Sequence, residues 1–463
     1  MAIQNKPFIA LRKKYLQFSY EKFSWKVLEN DLQISFNFII GEEISFSPQL
    51  LVKKIDAKRI KKIGKKVIDN LVFNIGLIEM ISYWKATCSP EILIKAGTLS
   101  HDQIRWWKDL IFNGMAQYFY ENQINFMEKG FLKIKLAKKG KLFRPISLKL
   151  KERYLVPVGG GKDSVVTIEL LKEAGKEISC FSLNPSQASK EVIKIAGYEK
   201  PITVLRKIDP KLLEMNKENF LNGHTPFTAY LSFLSVLIAT IFDYRSIVFS
   251  NEQSANEGNV WYFGKEVNHQ YSKTFKFERR FRNYLQKYLI KGIEYFSLLR
   301  PLYELQIAKI FTGYPKYFKS FLSCNQKAKN KRWCGKCSKC LFVFTCFFPF
   351  LSKLEMKAIF GQDLFTKNDL LQIMKELIGE SDFKPFECVG TKKESIIAFY
   401  LSLKKARSGE AGEMPTLLAY FKNRISSRYF NLESESRRIL SSYNPKHYLP
   451  LEMRKILRNK IDI

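Results

Sequence analysis

A glycine-rich segment between a predicted strand and a predicted helix constrains the fold of this chain most strongly. Residues 154–158 form a short apolar run, and residues 164–174 carry apolar side chains at helical spacing. Glycines let backbone amides approach an anion without an obstructing Cβ, and a helix N-terminus adds favourable potential. The segment predicts a phosphate-binding β-loop-α unit, with a tight turn without ligand as the alternative. Its residues are Gly159, Gly160, Gly161, Lys162, Asp163 and Ser164.

Strand-like and helix-like segments alternate after this loop. Residues 178–183, 202–205 and 246–249 are predicted strands, and a helix near 189–196 and a long apolar helix before residue 242 separate them. This alternation predicts an α/β fold with a doubly wound parallel sheet, whose ligands bind at the carboxyl ends of the strands. Ligand-facing residues are expected at Gly159, Asn184 and residues 250–252, in one crevice.

The flanking regions have different patterns. Residues 1–145 are predicted as an α+β accessory or substrate domain, with strands between residues 23 and 52 broken by a turn at 41–43, and helices over 66–126. The β-loop-α domain is predicted over 146–310. A helical region is predicted over 311–463.

Clustered cysteines predict a metal site in the third region. Cys324, Cys334, Cys337 and Cys340 are closely spaced, whereas the other four of the eight cysteines are scattered. Four thiolates at this spacing satisfy tetrahedral Zn²⁺ in a knuckle-like loop. Redox or sulfur-transfer chemistry is the alternative.

The net positive charge indicates anionic partners but does not choose among them. The formal net charge of +33 favours polyanions such as RNA, a membrane surface or phosphate-rich substrates. Basic residues near the N-terminus interrupt any signal peptide, so a cytoplasmic protein is expected. The apolar segment 221–242 contains Gly223, Pro226 and hydroxyl residues and is predicted as a buried helix, without a transmembrane segment. Peripheral membrane contact through the basic surface stays open.

The glycine-rich loop resembles the signature Ser-Gly-Gly-x-Asp-Ser of the PP-loop ATP pyrophosphatases, with Gly159 in place of the first Ser. Asp163 stands between Lys162 and Ser164, so the Walker pattern is absent. The resemblance implies a HUP-like fold and cleavage of ATP to AMP and pyrophosphate. It also implies Mg²⁺ or a ribose-side contact at Asp163, adenine near Asn184 and phosphates near Arg300. A surface arginine without ligand is the alternative for Arg300.

Several distant segments resemble the MurL family, the ATP-dependent UDP-N-acetylmuramoyl-L-alanyl-L-glutamate epimerases. The matching segments are ISYWKATCSP (81–90), GHTPF (223–227), SNEQSANEGN (250–259), VNHQYSK (267–273), YFSLLRPL (295–302), RWCGKC (332–337) and KPFECVG (384–390). The resemblance implies conversion of the terminal L-Glu of UDP-MurNAc-L-Ala-L-Glu to D-Glu through an acyl-adenylate, for peptidoglycan synthesis. No nucleic acid partner is implied.

The MurL-like segments supply the remaining candidate site residues except Arg279. That residue belongs to a basic stripe from Lys273 to Arg282, for which an exposed helix face is the alternative. An acyl-adenylate removes the carboxylate charge that otherwise disfavours a carbanion at the neighbouring α-carbon. Ordinary structural roles are the alternative for each histidine, and metal or substrate binding is the alternative for Glu252 and Glu257. Candidate proton carriers are His224, His269, Glu252, Glu257, Glu387 and Cys388, and candidate substrate-binding residues are Asn251, Asn256, Asn259, Lys273 and Arg279.

Three other functions remain compatible with the sequence. A PP-loop RNA-modifying enzyme, such as a tRNA thiolase or a lysidine-type ligase, agrees with the charge and the cysteines. The 7-cyano-7-deazaguanine synthases carry a similar cysteine arrangement after their PP-loop domain, so a ligase of that kind is a further alternative. A non-catalytic nucleotide-binding or membrane-surface protein is the third reading.

Overall fold

The computed structural model describes residues 6–138, 140–324, 333–408 and 413–461. Its strands are β1 (Gln17–Leu28), β2 (Asp31–Ile40), β3 (Ile44–Phe46), β4 (Gln49–Val52), β5 (Glu91–Ile94), β6 (Lys133–Leu136), β7 (Ile146–Ser147), β8 (Tyr154–Pro157), β9 (Ile178–Leu183), β10 (Ile202–Lys207), β11 (Ser246–Phe249), β12 (Val260–Tyr262), β13 (Lys265–Val267), β14 (Ile290–Lys291) and β15 (Glu294–Ser297).

Helices flank these strands and form most of the C-terminal region. They are α1 (Lys6–Lys14), α2 (Ala57–Ile63), α3 (Lys65–Glu79), α4 (Ile81–Trp84), α5 (His101–Gly114), α6 (Ala116–Glu121), α7 (Lys162–Glu173), α8 (Gln187–Ile195), α9 (Pro210–Met215), α10 (Phe227–Phe242), α11 (Phe275–Tyr284), α12 (Glu304–Thr312), α13 (Ser338–Phe347), α14 (Lys353–Phe360), α15 (Leu371–Ile378), α16 (Lys392–Ser408), α17 (Thr416–Tyr420), α18 (Leu432–Leu440) and α19 (Leu451–Ile461).

One large mixed sheet joins eleven of the strands in the order β15-β11-β8-β9-β10-β4-β2-β1-β5-β6, with β3 paired to β2. The five strands from β15 to β10 are parallel to one another. From β8 the chain proceeds outward through β9 and β10, then returns to the other side of β8 for β11 and β15. The order therefore reverses between β8 and β11, where doubly wound sheets bind their ligands.

The α/β class is confirmed, and the predicted strands after the glycine-rich loop match β9, β10 and β11. The whole sheet is mixed because β4, β2 and β1 pair antiparallel beyond β10. The helical prediction over 66–126 was wrong at β5, since a strand of four residues is too short for its alternation to show. The short β15 was not predicted.

Alternating side chains of the parallel strands enter two separate hydrophobic cores. Leu155 of β8 and Ile247 of β11 belong to a first core, which continues through the N-terminal region. Their neighbours Val156 and Val248 belong to a second core, which continues into the C-terminal helices. Because side chains alternate across a strand, these strands are apolar on both faces.

Of the apolar segment 221–242 predicted as a buried helix, the part from Phe227 onward forms α10. Twelve of its sixteen residues are buried, and the helix packs against α3 in the first core. It ends at Asp243 in the left-handed conformation, where Arg59 donates to the carboxylate at 2.9 Å. Among the described helices, none combines the length and the hydropathy that a membrane crossing requires.

The sheet is continuous across the boundary predicted near residue 145. Val204 of β10 pairs with Val52 of β4, so strands of the first region extend the sheet of the second. The division into 1–145, 146–310 and 311–463 remains a prediction.

Candidate active site

The glycine-rich loop leaves β8 and enters α7 with its backbone amides available to a ligand. Gly160 has φ of +93°, and a Cβ there would lie 2.5 Å from the backbone nitrogen of Ser189. Gly161 precedes the helix without a side-chain cap, so the amides of the first turn lack partners within α7. A helix N-terminus of this kind attracts anions.

A first cavity of about 260 Å³ opens at the carboxyl ends of β8, β9 and β11. Gly159, Gly161, Asp163 and Ser164 form its loop side. The remaining lining residues are Pro157, Val158, Phe181, Leu183, Phe227, Thr228, Leu231, Phe249, Ser250, Asn251 and Lys273. Anion-binding amides and apolar side chains thus face the same space, at the reversal of strand order.

A second cavity of about 510 Å³ adjoins the first. The two cavities share Gly159, Gly161, Asp163, Phe227, Thr228 and Lys273, and they form one crevice. The residues specific to the second cavity are His224, His269, Gln270, Ser272, Leu322, Ser323, Lys339, Phe386, Glu387 and Cys388.

Three carboxylates form an acidic cluster beside the loop. Oxygen atoms of Asp163, Glu252 and Glu304 lie within 4.8 Å of one another, and Glu252 and Glu304 are almost fully buried. Such a donor set suits Mg²⁺, which takes carboxylates together with substrate phosphates and water. Lys162 is buried against the cluster and forms ion pairs with Asp163 and Glu304.

Charge within the acidic cluster is partly compensated. Burial alone would lower the pKa of Lys162, but Asp163 and Glu304 outweigh it and raise that pKa. Burial opposes ionisation of Glu304, yet Lys162 and Lys339 hold its pKa below the usual range. Burial and the neighbouring carboxylates raise the pKa of Glu252 to about 7. A divalent cation would favour the ionised form of all three carboxylates.

Two histidines and one thiol meet in the second cavity. Lys273 Nζ donates to Cys388 Sγ at 3.1 Å, and His269 Nε2 lies 4.0 Å from the same sulfur. His269 Nδ1 lies 3.0 Å from Asn259 Oδ1. The rings of His224 and His269 are 6.1 Å apart between centroids.

Both histidines are neutral at physiological pH. Burial, followed by the neighbouring His269 and Lys85, lowers the pKa of His224 to about 4. Burial, followed by three neighbouring lysines, lowers the pKa of His269 to about 3. A neutral imidazole keeps one nitrogen lone pair as a proton acceptor.

The four clustered cysteines converge as a candidate zinc site. The sulfur atoms of Cys324, Cys334, Cys337 and Cys340 all lie within 4.8 Å of one another, and all four residues are buried. Cys340 Sγ lies 3.5 Å from Cys334 Sγ and from Cys337 Sγ. Bonds of about 2.3 Å to tetrahedral zinc would separate sulfurs by roughly 3.8 Å, so the set fits Zn²⁺.

The cysteine cluster is linked directly to the second cavity. Lys339 lies between two of the cysteines, and its backbone amide donates to Glu387 Oε2 at 2.7 Å. Its ammonium group donates to the carbonyl of Cys388. The segment carrying Glu387 and Cys388 is therefore held by the loop that bears the thiols. Arg332, the first residue of the matching segment there, lies outside the described residues.

Many of the predicted site residues line the crevice. In the first cavity they are Gly159, Gly161, Asp163, Ser164, Asn251 and Lys273, and in the second they include His224, His269, Glu387 and Cys388.

Arg300 and Asn184, which the PP-loop resemblance places near phosphates and adenine, bond within the protein. Arg300 is 1% exposed and donates to Glu278 and to the carbonyls of Glu252 and Lys273, so its guanidinium is engaged within the protein. Asn184 is exposed, and both ends of its side chain bond to the backbone of Arg206. Neither residue lines the two cavities.

Other predicted residues lie outside the crevice lining. Gly160 packs on α8, and Lys162 and Glu252 belong to the acidic cluster. Asn256 accepts from the amide of Phe275, while Glu257 pairs with Lys384. Arg279 is exposed on α11.

Sequence reasoning missed Glu304, Lys339 and Thr228. Glu304 is the first residue of α12, shortly after β15 ends at the same edge of the sheet as the loop. An acidic residue at a strand-to-helix junction is the sequence pattern that would have predicted Glu304 as a site residue. Lys339 and Thr228 carry no comparable signal, because only the packing of α13 and α10 brings them to the crevice.

Comparisons with known proteins cover most of the chain. The sequence model described as the MurL N-terminal domain matches residues 10–298, and that of the MurL C-terminal domain matches residues 320–427. Three similar proteins each carry the name UDP-N-acetyl-alpha-D-muramoyl-L-alanyl-L-glutamate epimerase. The protein of Xanthomonas oryzae pv. oryzae is 34% identical over 71% of this chain and 74% of its own length. That of Salinispora tropica is 35% identical over 72% of each chain, and that of a Micromonospora species is 35% identical over 69% of this chain and 72% of its own.

Proposed function

The chain belongs to the MurL family of UDP-N-acetyl-alpha-D-muramoyl-L-alanyl-L-glutamate epimerases, and from that premise we propose how its crevice performs the reaction. The enzyme is an isomerase that inverts the terminal glutamate of UDP-MurNAc-L-Ala-L-Glu for peptidoglycan synthesis. ATP occupies the first cavity, and the glutamate end of the substrate occupies the second. The comparisons favour this activity over RNA modification or a deazaguanine-type ligase.

The observation that carries this proposal is the continuity of the two cavities. Gly159, Gly161, Asp163 and Lys273 face both, so a nucleotide phosphate and a substrate carboxylate reach the same residues. The amides at the start of α7 bind phosphate oxygens, which agrees with a PP-loop arrangement. Attack of the glutamate carboxylate on the α-phosphorus then forms an acyl-adenylate and releases pyrophosphate.

The acidic cluster binds Mg²⁺ in this proposal. Asp163, Glu252 and Glu304 are its protein ligands, and bound Mg²⁺ would neutralise charge on the phosphates. Lys162 orients Asp163 and Glu304 through its ion pairs. Lys273, at the junction of the cavities, attracts the anionic substrate.

Adenylation prepares the glutamate for inversion. The acyl-adenylate lacks the carboxylate charge, so removal of the α-proton places negative charge on a carbonyl oxygen that nearby cations stabilise. Proton carriers in the second cavity remove the proton and deliver one to the opposite face, and hydrolysis releases AMP.

The cysteine cluster binds structural Zn²⁺ in this proposal, and the chain works in the cytoplasm. All four thiolates occupy a closed site, which is typical of structural and not of catalytic zinc. Free thiols in such a cluster require a reducing compartment.

The test is a reaction with purified protein, ATP, Mg²⁺ and UDP-MurNAc-L-Ala-L-Glu. We expect equimolar AMP, pyrophosphate and product with D-Glu, quantified by nucleotide chromatography and chiral analysis. Inversion without AMP formation would refute adenylation, and AMP formation without inversion would point to a ligase.

A further inference from the structure

The second cavity contains one thiol that differs from all others in the chain. Cys388 is half-buried and lines the cavity, whereas the other seven cysteines are buried. Lys273 donates to its sulfur at 3.1 Å. An adjacent ammonium group stabilises the negative charge that remains on sulfur after a thiol has given up its proton.

Hydrogen bonds determine the tautomer of the histidine beside this thiol. Asn259 Nδ2 donates to the carbonyl of Pro385 at 2.7 Å, and Asn259 Oδ1 accepts from the backbone amide of His269 at 3.1 Å. Asn259 Oδ1 therefore also accepts from His269 Nδ1, which must carry the proton. His269 Nε2 consequently presents its lone pair toward Cys388 Sγ, 4.0 Å away.

A second proton acceptor faces the same cavity. His224 Nε2 is buried and has no hydrogen-bond partner in the part of the chain that the structure describes. The loop that carries it is held by Lys85, whose ammonium donates to Asn222 and to the carbonyl of Gly223. His224 lines the second cavity, and a neutral imidazole nitrogen without a protein partner keeps a lone pair that can accept a proton.

The other titratable groups of the second cavity already have partners. Lys273 donates to Cys388 Sγ, and Lys339 donates to the Cys388 carbonyl. Glu387 accepts from the amide of Lys339, and Asp163 is paired with Lys162. Inversion at carbon requires a proton acceptor on one face and a donor on the other. His224 Nε2 has no partner among the described residues, and the Cys388 thiol carries a proton beside the ammonium of Lys273, so these two groups fit the roles, with His269 Nε2 directed at the Cys388 sulfur.

We propose that His224 Nε2 accepts the α-proton of the activated L-Glu and that the Cys388 thiol donates a proton to the opposite face. This assignment rests on the proposed function. The C–H electrons enter the acyl carbonyl as an enolate, which the thiol proton then quenches at carbon. The thiolate is stabilised by Lys273, and solvent carries the proton of His224 back to sulfur, so the net proton balance is zero. His269 and Asn259 are positioning residues for Cys388.

Isotope exchange in D₂O distinguishes the two groups. With UDP-MurNAc-L-Ala-L-Glu and ATP, the wild type should yield D-Glu product carrying α-deuterium. Cys388→Ala should lose inversion at least 100-fold but return recovered L-Glu with α-deuterium, because His224 still exchanges the proton on one face. His224→Asn should show neither exchange nor inversion while AMP is still released. The exposed His101→Asn is the control and should match the wild type.

Opposite results would overturn the assignment. The assignment fails if Cys388→Ala inverts the substrate at more than a tenth of the wild-type rate. It also fails if L-Glu recovered from His224→Asn carries α-deuterium. If the wild type itself released no AMP, the proposed function would fail instead, and that outcome is separate from the labelling of the variants.

Alkylation of the protein without substrate tests the cluster independently. Iodoacetamide should modify Cys388 selectively at pH 7.5, as read by peptide mass spectrometry. Lys273→Met should lower this rate on the order of tenfold, because the charge beside the sulfur is lost. Unchanged alkylation in Lys273→Met would refute the stabilisation of the thiolate by Lys273, with circular dichroism confirming that the variant is folded.

Discussion

At the scale of single residues, burial determines the protonation of the site. His224 is held neutral because its surroundings are apolar and its charged neighbours, Lys85 among them, are cationic. The pKa of His224 is near 6.5 in the unfolded chain and about 4 in the folded chain. The stability contributed by His224 is therefore present above pH 6.5 and is lost as the pH falls toward 4.

This linkage predicts a loss of stability on acidification. His224 alone should account for roughly 2 kcal/mol of the decrease in the free energy of unfolding between pH 7 and pH 5. Urea unfolding of His224→Asn should show a decrease that is smaller by this amount. The free energy of unfolding of His101→Asn, a variant at an exposed position, should decrease as much as that of the wild type. Identical pH profiles for His224→Asn and the wild type would contradict the burial argument.

The carboxylates of the acidic cluster predict a specific dependence on Mg²⁺. Asp163→Asn removes a ligand charge while keeping the side-chain shape. The Mg²⁺ concentration for half-maximal AMP release should rise on the order of tenfold or more, since ligand geometry and charge set metal affinity. Asp102→Asn, on an exposed carboxylate paired with Arg105 and Lys287, is the matched control and should leave this concentration unchanged.

At the scale of elements, the conformation of the glycine-rich loop requires a glycine at one position, Gly160. Gly160 combines a positive φ with a close approach to α8, whereas a Cβ at Gly159 would meet nothing within 4 Å. Gly160→Ala should lower the free energy of unfolding by about 2 kcal/mol, because the positive φ strains the alanine backbone and the added Cβ overlaps with α8. Gly159→Ala should remain within about 0.5 kcal/mol of the wild type. Equal losses in urea unfolding for the two variants would contradict this geometry.

The loop of clustered cysteines supports the active site from the side of α13. Gly335 has φ of +65° within this loop, and Lys339 connects it to Glu387 and Cys388. The element therefore links metal binding to the shape of the second cavity.

Removal of the metal should affect stability and activity together. Elemental analysis should find one zinc per chain, and Cys334→Ser should lose it. A strong chelator should lower the melting temperature by several degrees and abolish inversion, because structural zinc contributes folding energy. Cys346→Ala changes a buried cysteine outside the cluster and should retain zinc. Full zinc content in Cys334→Ser would rule out the four-thiolate site.

At the scale of the whole molecule, the N-terminal region completes the sheet of the catalytic region. Antiparallel pairing of β4 with β10 joins them, and the first core extends from Phe8 to Tyr295. A fragment ending near residue 145 would expose the edge of β4 and the core residues that pack against the rest of the chain.

Such a fragment should not fold alone. Residues 1–145 expressed separately should lack a cooperative thermal transition by circular dichroism, whereas co-expression with 146–463 should restore a folded complex. A cooperative transition in the isolated fragment would show instead that residues 1–145 are an independent domain.

The sequence by itself determined the features that depend on neighbouring residues. The glycine-rich turn, the strands β8, β9 and β11, the buried helix α10 and the spacing of four thiols all follow from local sterics and periodicity. The family follows from short segments that remain similar in sequence, and comparison of the chain with its relatives confirmed it.

Only the tertiary structure decided which side chains meet. Glu304 joins Asp163, and Lys339 joins Cys388, across long stretches of sequence. Arg300 is drawn inward because Glu278 and two carbonyls satisfy its donors, which no pattern around it reveals. Long-range packing sets these contacts, whereas propensity and periodicity act over only a few residues. The loop and the candidate proton carriers were therefore predictable, and the choice among those candidates required the fold.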